Sequence, residues 1–355
     1  MNKTKLSIAM LALMISFSKA DAFTHPVTIT DQGSFFAGGT VVTADGEYKK
    51  NEPLNYDGHT LHGDHAYVFY QIPKDAHKLA LVFLHGAGQS GKTWETTPDG
   101  RDGFANIFLE KKYKTYVVDQ PRRGRAGRST VAENISANPD DQLWFNTFRI
   151  GVWPDYYENA AVSRDPKVLD QFLRQMTPNT GVFDNKVITS AMIEVMKKSG
   201  DSILVTHSQG GGPGWSTAVS SDNVKAVVAM EPGAFPFPKG EVPEVEKTSS
   251  PFPAQGTEFS KEDFLKLIKK PIIVYFGDNI PDEPTDNFGQ DNWRVRQNLA
   301  VKFMETAKKY GGDVTIVKLP EVGIKGNTHF MFADLNNTDI AEHLEKWIKD
   351  RKLDR

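Results

Sequence analysis

Ser202-Ile203-Leu204-Val205-Thr206-His207-Ser208-Gln209-Gly210-Gly211-Gly212 joins a short apolar run to a turn and three glycines. A run of this length, rich in branched residues, predicts a buried strand, and the glycines predict a tight turn that opens a helix. Ser208 stands at the apex, where strained backbone can expose its hydroxyl above the sheet edge as a nucleophile. The alternative is a serine N-cap at an ordinary strand-to-helix turn. Thr206, which replaces the glycine usual at that position, weakens the catalytic interpretation.

Other apolar runs predict further strands of the same sheet. Central strands are expected at residues 79–84, 115–118, 224–230, 272–276 and 314–319. Helical patterns lie between or after them at 104–112, 187–198, 291–310 and 338–352. Alternating polar and apolar residues at 27–30, 40–43 and 66–72 predict antiparallel edge strands. Alternation of strands and helices indicates an α/β fold, with a mostly parallel sheet covered by helices on both faces.

Two long stretches depart from this alternation. Residues 130–200 are rich in aromatic side chains and predict an inserted, partly helical cap. Residues 233–262 carry many prolines and glycines and predict a loop that flanks the functional site. Within the cap, Trp144, Trp153 and Tyr156 are candidates for substrate binding. The alternative is that these aromatic residues form a small core of the cap itself.

The first 22 residues have the features of a secretory signal peptide. Lys3 and Lys5 precede the apolar run 6–17, and Ala20-Asp21-Ala22 fits a cleavage site after Ala22. The apolar run is too short to span a membrane, and no later run approaches that length. We therefore expect a periplasmic or secreted protein, without stable membrane insertion once the signal peptide is removed, whose functional domain comprises residues 23–355.

Composition narrows the functional classes. The chain has 355 residues, of which 39% are hydrophobic and 25% charged, enough for one large domain with an insertion. A formal net charge of −3 gives no reason to expect nucleic acid as a partner. The absence of cysteine excludes disulfides, thiol catalysis and thiolate metal sites. An exported protein of this kind must be stabilised by its hydrophobic core.

The loop after the first central strand fits two motifs. His85-Gly86-Ala87-Gly88-Gln89-Ser90-Gly91-Lys92-Thr93 contains the phosphate-binding pattern G-x-x-x-x-G-K-T. It also resembles a His-Gly loop that lends a backbone N–H to an oxyanion hole. A phosphate loop should open a helix after Lys92, whereas the chain continues with Pro98 and Gly100 as a loop. Nucleotide hydrolysis is therefore the less favoured alternative.

A serine nucleophile needs a base and an acid that orients it. Among nine histidines, His329 stands in a loop between the last strand and the last helix, where the base is expected after a Ser–acid–His order. For the acid, the turn after strand 272–276 places isoleucine at the usual position. Glu231, which directly follows strand 224–230, is favoured as the acid, and Asp278 and Asp282 remain alternatives.

With these motifs in order, the chain resembles the α/β hydrolases, and more narrowly a group of secreted bacterial esterases whose triad is Ser-Glu-His, with the glutamate after the sixth strand. The resemblance spans roughly residues 80–340. It is carried by His85-Gly86, Thr93-Trp94-Glu95-Thr96-Thr97-Pro98-Asp99-Gly100, Val118-Asp119-Gln120, His207-Ser208-Gln209, Glu231-Pro232-Gly233, Phe276-Gly277-Asp278, Gly326-Asn327-Thr328-His329 and Asp334-Leu335-Asn336-Asn337.

The resemblance implies a role for each site residue. Ser208 is implied as the nucleophile, His329 as the base and Glu231 as the acid, with the backbone N–H groups of Ala87 and Gln209 forming the oxyanion hole. The implied activity is hydrolysis of a small-molecule carboxylic ester through an acyl-enzyme, with no metal or organic cofactor. Amide or lactone cleavage by the same triad, and a non-catalytic binding module on this fold, remain alternatives.

Overall fold

The computed structural model describes residues 26–355, so the predicted signal peptide and its cleavage site lie outside the described residues. The strands are β1 (Ile29–Ala37), β2 (Thr40–Thr43), β3 (Thr60–Gly63), β4 (Ala66–Pro73), β5 (Ala80–Leu84), β6 (Lys114–Asp119), β7 (Gly151–Val152), β8 (Asp155–Tyr156), β9 (Ser202–His207), β10 (Val224–Met230), β11 (Ala234–Pro238), β12 (Gln255–Phe259), β13 (Ile272–Phe276) and β14 (Val314–Lys318). The helices are α1 (Phe104–Glu110), α2 (Asp141–Thr147), α3 (Pro166–Arg174), α4 (Asn185–Ser199), α5 (Gly211–Ser220), α6 (Lys261–Ile268), α7 (Phe288–Lys309) and α8 (Asn337–Asp350).

Eight of the strands form one sheet in the order β1-β4-β6-β5-β9-β10-β13-β14. Strands β6, β5, β9, β10, β13 and β14 run parallel, whereas β1 and β4 pair antiparallel at one edge. The predicted α/β class and its mostly parallel sheet are confirmed. The prediction for residues 40–43 is wrong in one respect, because β2 pairs with β3 in a separate two-stranded sheet.

The side chains of the central strands alternate between two cores, one on each face of the sheet. In β5, Val82 and Leu84 belong to one core, while Leu81 and Phe83 belong to the other. This follows from the two-residue period of a strand whose faces are both covered. The first core is completed by α4, α5, α6 and α7, and the second by α1 and α8. The carboxyl ends of the parallel strands therefore meet at one edge of a rigid, doubly covered sheet.

The stretch 130–200 divides into two parts. Helices α2 and α3 and the short β7–β8 hairpin lie in its first part. Helix α4 instead packs on the sheet, where Ile188, Met192 and Val195 are buried in the first core. Asp184 begins this helix by accepting hydrogen bonds from the N–H groups of Lys186 and Val187. The predicted insertion is thus too long at its C-terminal end, because α4 is one of the helices that cover the sheet.

The stretch 233–262 contains more regular structure than the predicted loop. Strands β11 and β12 pair in parallel with each other, and Phe235 and Phe237 are buried in the first core. The sequence of β12 has no alternation of apolar residues, and this strand is mostly exposed. Among the helices formed by residues 26–355, none has the length and apolar character needed to cross a lipid bilayer.

Candidate active site

Ser208 occupies a strained turn between β9 and α5. Its φ angle is 55°, in the left-handed region that non-glycine residues rarely adopt. Two glycines permit the close packing around it. A Cβ on Gly86 would lie 2.6 Å from the Cβ of Ser208, and a Cβ on Gly210 would lie 2.5 Å from the carbonyl oxygen of His85. The turn and the loop after β5 can therefore approach each other only because both carry glycine.

The loop after β5 is fixed by His85. The ring of this buried histidine accepts a hydrogen bond at Nε2 from the backbone N–H of Gln120, at 3.2 Å. Its Nδ1 therefore carries the proton and donates to the carbonyl of Gly86, at 3.0 Å. Burial lowers the pKa of His85 to about 4, so the ring is neutral at physiological pH. Ala87, which follows in this loop, lines the same cavity as Gln209 and Ser208.

Glu231 follows β10, the strand beside the one that leads to Ser208. Met230 and His207 are paired across the two strands, so the two predicted site residues begin from neighbouring strand ends. The carboxylate is completely buried and accepts a hydrogen bond from the N–H of Gly277, at 2.8 Å. Burial raises the pKa of Glu231, but the charges and hydrogen bonds of Arg149 and His329 outweigh burial and lower it to about 2. Glu231 is therefore ionised at neutral pH.

His329 joins Glu231 to the cavity. Its Nδ1 lies 2.5 Å from Oε2 of Glu231, which fixes Nδ1 as the protonated nitrogen when the carboxylate is ionised. Its Nε2 has no hydrogen-bond partner among the described residues, and the ring lines the same cavity as Ser208. Burial lowers the pKa of His329, only partly opposed by Glu231. A neutral imidazole with a free Nε2 is the form that can accept a proton.

Arg149, which no sequence pattern identified, holds Glu231 in place. Its guanidinium is fully buried and pairs with both carboxylate oxygens of Glu231. The distance from Nη1 to Oε2 is 3.0 Å. The Nε of Arg149 donates to the carbonyl of Asp278. A planar guanidinium suits such a bidentate contact. Glu231 lies 82 positions further along the chain, and nothing in the aromatic-rich segment around Arg149 indicates this pairing.

Two further buried side chains position the loop that carries His329. His207 donates from Nε2 to the carbonyl of His329, at 3.0 Å, and its ring centroid lies 4.2 Å from that of His329. Asp334 accepts hydrogen bonds from the backbone N–H and the hydroxyl of Thr328, at 2.7 and 2.8 Å. His207 and Asp334 both belong to sequence motifs named above, but the spacing of those motifs does not reveal the contacts with the His329 loop.

The alternative acids have other roles. Asp278 accepts hydrogen bonds from the N–H of Gly326, at 2.7 Å, and from the side chain of Asn159, at 3.1 Å. Asp282 is largely exposed, with 89% of its side-chain surface accessible, and its nearest cation is Lys318. Neither carboxylate contacts His329. The structure therefore brings Glu231, rather than either aspartate, to the imidazole.

The cavity beside Ser208 and His329 has a volume of about 570 Å³, within the range of small-molecule sites. Of the three aromatic residues predicted to bind substrate, only Trp144 lines it, stacked on Phe252 with a centroid distance of 5.8 Å. The prediction is wrong for Trp153 and Tyr156. Trp153 is 42% exposed, and Tyr156 lines a smaller, separate cavity; both rings pack edge-on against Phe145. These two aromatic residues instead belong to the packing of the segment itself.

The structure does not support a phosphate-binding loop. Residues 91–94 form a single 3₁₀ turn, and in this fully described stretch no α-helix begins before Phe104. The ammonium group of Lys92 donates to the carbonyl of Thr96, at 2.5 Å. Within the described residues, no group of three or more His, Cys, Asp or Glu side chains is arranged to hold a metal ion.

Comparison with known proteins agrees with this fold. The model of the alpha/beta hydrolase family matches residues 81–334. A probable secreted lipase, phiG of Fungal sp. (strain ATCC 74256), is 28% identical over 324 residues, which cover 80% of this chain and 85% of the lipase. A solved bacterial esterase structure matches with a TM-score of 0.73 and 28% identity, covering 93% of this chain and 98% of the esterase. The family match extends over most of the chain and includes every residue of the site described above, and the protein therefore belongs to the alpha/beta hydrolase family.

Proposed function

We propose that this protein is a serine hydrolase that cleaves a carboxylic ester through an acyl-enzyme. Ser208 is the nucleophile, His329 the general base and Glu231 the acid that orients the imidazole. The observation that carries the proposal is the 2.5 Å contact between His329 Nδ1 and Glu231, with the unpartnered Nε2 of His329 in the same cavity as Ser208. An ester substrate is supported by the names of two similar proteins, a probable secreted lipase and a bacterial esterase.

In this mechanism, the Ser208 hydroxyl attacks the ester carbonyl while His329 Nε2 takes its proton. The backbone N–H groups of Ala87 and Gln209 stabilise the tetrahedral oxyanion. His329 then returns the proton to the leaving alkoxide, and an acyl-serine remains. Water attacks that acyl group with His329 again as base, and the free acid is released. Glu231 stays ionised throughout because Arg149 and His329 lower its pKa to about 2, and its charge stabilises the transient imidazolium.

Fluorophosphonate labelling tests the triad. We expect wild type to be labelled, Ser208→Ala to take no label, and Glu231→Gln to react roughly 10³- to 10⁴-fold more slowly because the imidazole loses its orienting charge. Asp282→Asn is the matched control, since it also removes a carboxylate but from an exposed site. A folded wild-type protein that takes no label would overturn the proposal, as would equal labelling of Glu231→Gln and wild type.

We further propose that the chain is exported and that its mature form begins at Phe23. The charged start, the apolar run 6–17 and the Ala20-Asp21-Ala22 site support this proposal, together with the name of the secreted fungal relative. Intact-mass spectrometry of the protein recovered outside the cytoplasm should give the mass of residues 23–355. Recovery of the full 355-residue mass from that fraction would contradict the proposed processing.

A further inference from the structure

The walls of the catalytic cavity carry one permanent charge. Among the described residues that line it, Arg296 is the only arginine or lysine, and none is an aspartate or glutamate. The other polar lining groups are neutral amides and hydroxyls, apart from His329. The lining of the cavity is therefore mostly uncharged, with several aromatic rings and one positive group.

The guanidinium of Arg296 is held without a counter-ion. Nη1 donates to the carbonyl and side-chain oxygens of Asn292, at 2.9 and 2.5 Å. The carbonyls of Phe252 and Pro253 accept further bonds at 3.3 Å. All of these acceptors are neutral, and within residues 26–355 no carboxylate forms an ion pair with Arg296. Burial lowers the pKa of Arg296 to about 10, so it remains protonated at neutral pH.

Two neighbouring buried arginines, unlike Arg296, form ion pairs with carboxylates. Arg294, two positions earlier on α7, forms ion pairs with Asp291 and Glu246, each at 2.6 Å. Arg149 pairs with Glu231. A buried cation is costly unless it is paired, and Arg296 is the exception among these three. Its charge also acts on the catalytic base: burial lowers the pKa of His329 most, and Arg149 and Arg296 add to that effect.

We propose that the cavity binds an ester that also carries a carboxylate, and that Arg296 supplies the counter-charge for that carboxylate. This inference rests on the serine-esterase function proposed above. A single cation balances a monoanion, which favours a carboxylate over a phosphate dianion. The stacked rings of Trp144 and Phe252 offer an apolar wall between the two polar ends. The substrate class that fits is the half-ester of an aliphatic dicarboxylic acid.

Hydrolysis of such a half-ester consumes one water and releases a dicarboxylate and the alcohol. The carboxylate on Arg296 is present throughout, and the second one forms when the acyl-serine is cleaved. Two negative charges then share a cavity with one cation. The dicarboxylate is therefore repelled from the site once it forms, which favours product release.

The substrate class is tested with monomethyl and dimethyl suberate, which have the same chain and differ in the charge at one end. Methanol release gives kcat/KM for each. We expect wild type to prefer the monomethyl ester by about 10-fold or more, because hydrogen bonds to a charged group contribute that much to binding. The dimethyl ester has two cleavable ends, which raises its kcat/KM by a statistical factor of about 2. A measured preference for the monomethyl ester therefore understates the true preference by that factor. Equal or better hydrolysis of dimethyl suberate by wild type would overturn it.

Variants identify the residue responsible. In Arg296→Gln, the ratio of the two kcat/KM values should fall by about 10- to 100-fold. Arg296→Lys keeps the charge and should retain a preference for the monomethyl ester. Arg294→Gln is the matched control, because it removes a buried arginine from the same helix without changing the charge of the cavity wall, and its ratio should equal that of wild type. A ratio unchanged in Arg296→Gln would contradict the assignment.

The outcomes separate this inference from the proposed function. A wild-type protein that takes no fluorophosphonate label and cleaves neither suberate ester would refute the serine-esterase function itself. A labelled wild type that cleaves dimethyl suberate at least as efficiently as the half-ester would refute the carboxylate-bearing substrate and leave the serine-esterase function standing. If Arg296→Gln fails to fold, the wild-type comparison over half-esters of increasing chain length still decides the substrate class.

Discussion

Glu231 is a carboxylate enclosed by protein, and its ionised state depends on Arg149. Burial favours the protonated form of a carboxylate, and a protonated acid could not stabilise the imidazolium of His329. Arg149 prevents this by contacting both carboxylate oxygens. The same cation also disfavours a second positive charge on His329. One arginine thus keeps the acid ionised and the base neutral.

Replacing Arg149 with methionine should therefore shift the pH dependence of catalysis. In wild type, the pKa of His329 lies below its ordinary value of 6.5, so the acid limb of kcat/KM should fall below pH 6.5. Glu231 keeps its hydrogen bonds from Gly277 and His329 in this variant, so loss of the Arg149 cation raises the pKa of His329 and the limb should move to higher pH. Arg149→Lys keeps the charge, so its acid limb should lie closer to that of wild type than the limb of Arg149→Met does. A profile of Arg149→Met that overlays wild type would show that Arg149 has no electrostatic role.

The same substitution should also cost about 3–5 kcal/mol in the free energy of unfolding, because it leaves a buried charge unpaired. In wild type, the stability that Glu231 contributes is present above its ordinary pKa of 4.5 and is lost as pH falls towards about 2. In the variant that loss should begin at higher pH. Urea unfolding at several pH values measures both effects.

Individual site residues could be predicted from the sequence where their role depends on the residues next to them in the chain. Ser208 follows a buried strand and precedes glycines, and Glu231 directly follows the next strand, so both could be predicted from local patterns. Arg149 and Arg296 could not, because their contacts with Glu231 and Phe252 join segments 82 and 44 positions apart. Trp153 and Tyr156 were predicted wrongly, since aromatic composition does not distinguish a cavity wall from the packing of the segment.

Among the elements, α2 supplies an aromatic part of the cavity wall. Trp144 on this helix stacks on Phe148 and Phe252, and this stack forms an apolar wall beside Ser208. Phe148, directly after α2, also accepts a hydrogen bond from the N–H of His329, at 2.9 Å. The segment before α4 therefore both shapes the cavity and holds His329, the proposed base.

Trp144→Ala should raise KM for esters with long acyl chains more than for acetate esters, since only a long chain reaches the aromatic wall. A loss of about 2 kcal/mol of apolar contact corresponds to roughly 30-fold in kcat/KM for the long chain. Trp153→Ala is the matched control, because the same residue type is removed from outside the cavity. Equal effects of the two variants on a chain-length series would show that Trp144 is not part of the binding wall.

For the whole molecule, the sheet was predictable and the small sheets were not. Apolar runs buried on both faces, such as Leu79–Leu84 in the sequence, identify central parallel strands without reference to their neighbours. The pairs β2–β3 and β11–β12 depend on contacts between short, mostly exposed or proline-containing segments. Residues 40–43 were predicted as a strand, but no period identifies the partner β3, nor β11 and β12, and only the folded chain brings the partners together.

The ion pair between Arg149 and Glu231 limits how this enzyme can be re-engineered. Segments that cover the site of a hydrolase are natural targets for exchange when a new specificity is wanted. Here, a transplanted segment that lacked an arginine at position 149 would remove the counter-ion of Glu231, the proposed acid, together with the old cavity wall. Chimeras should therefore keep Phe148 and Arg149 and vary α2 and the residues before it, so that selectivity changes while the triad retains its electrostatic support.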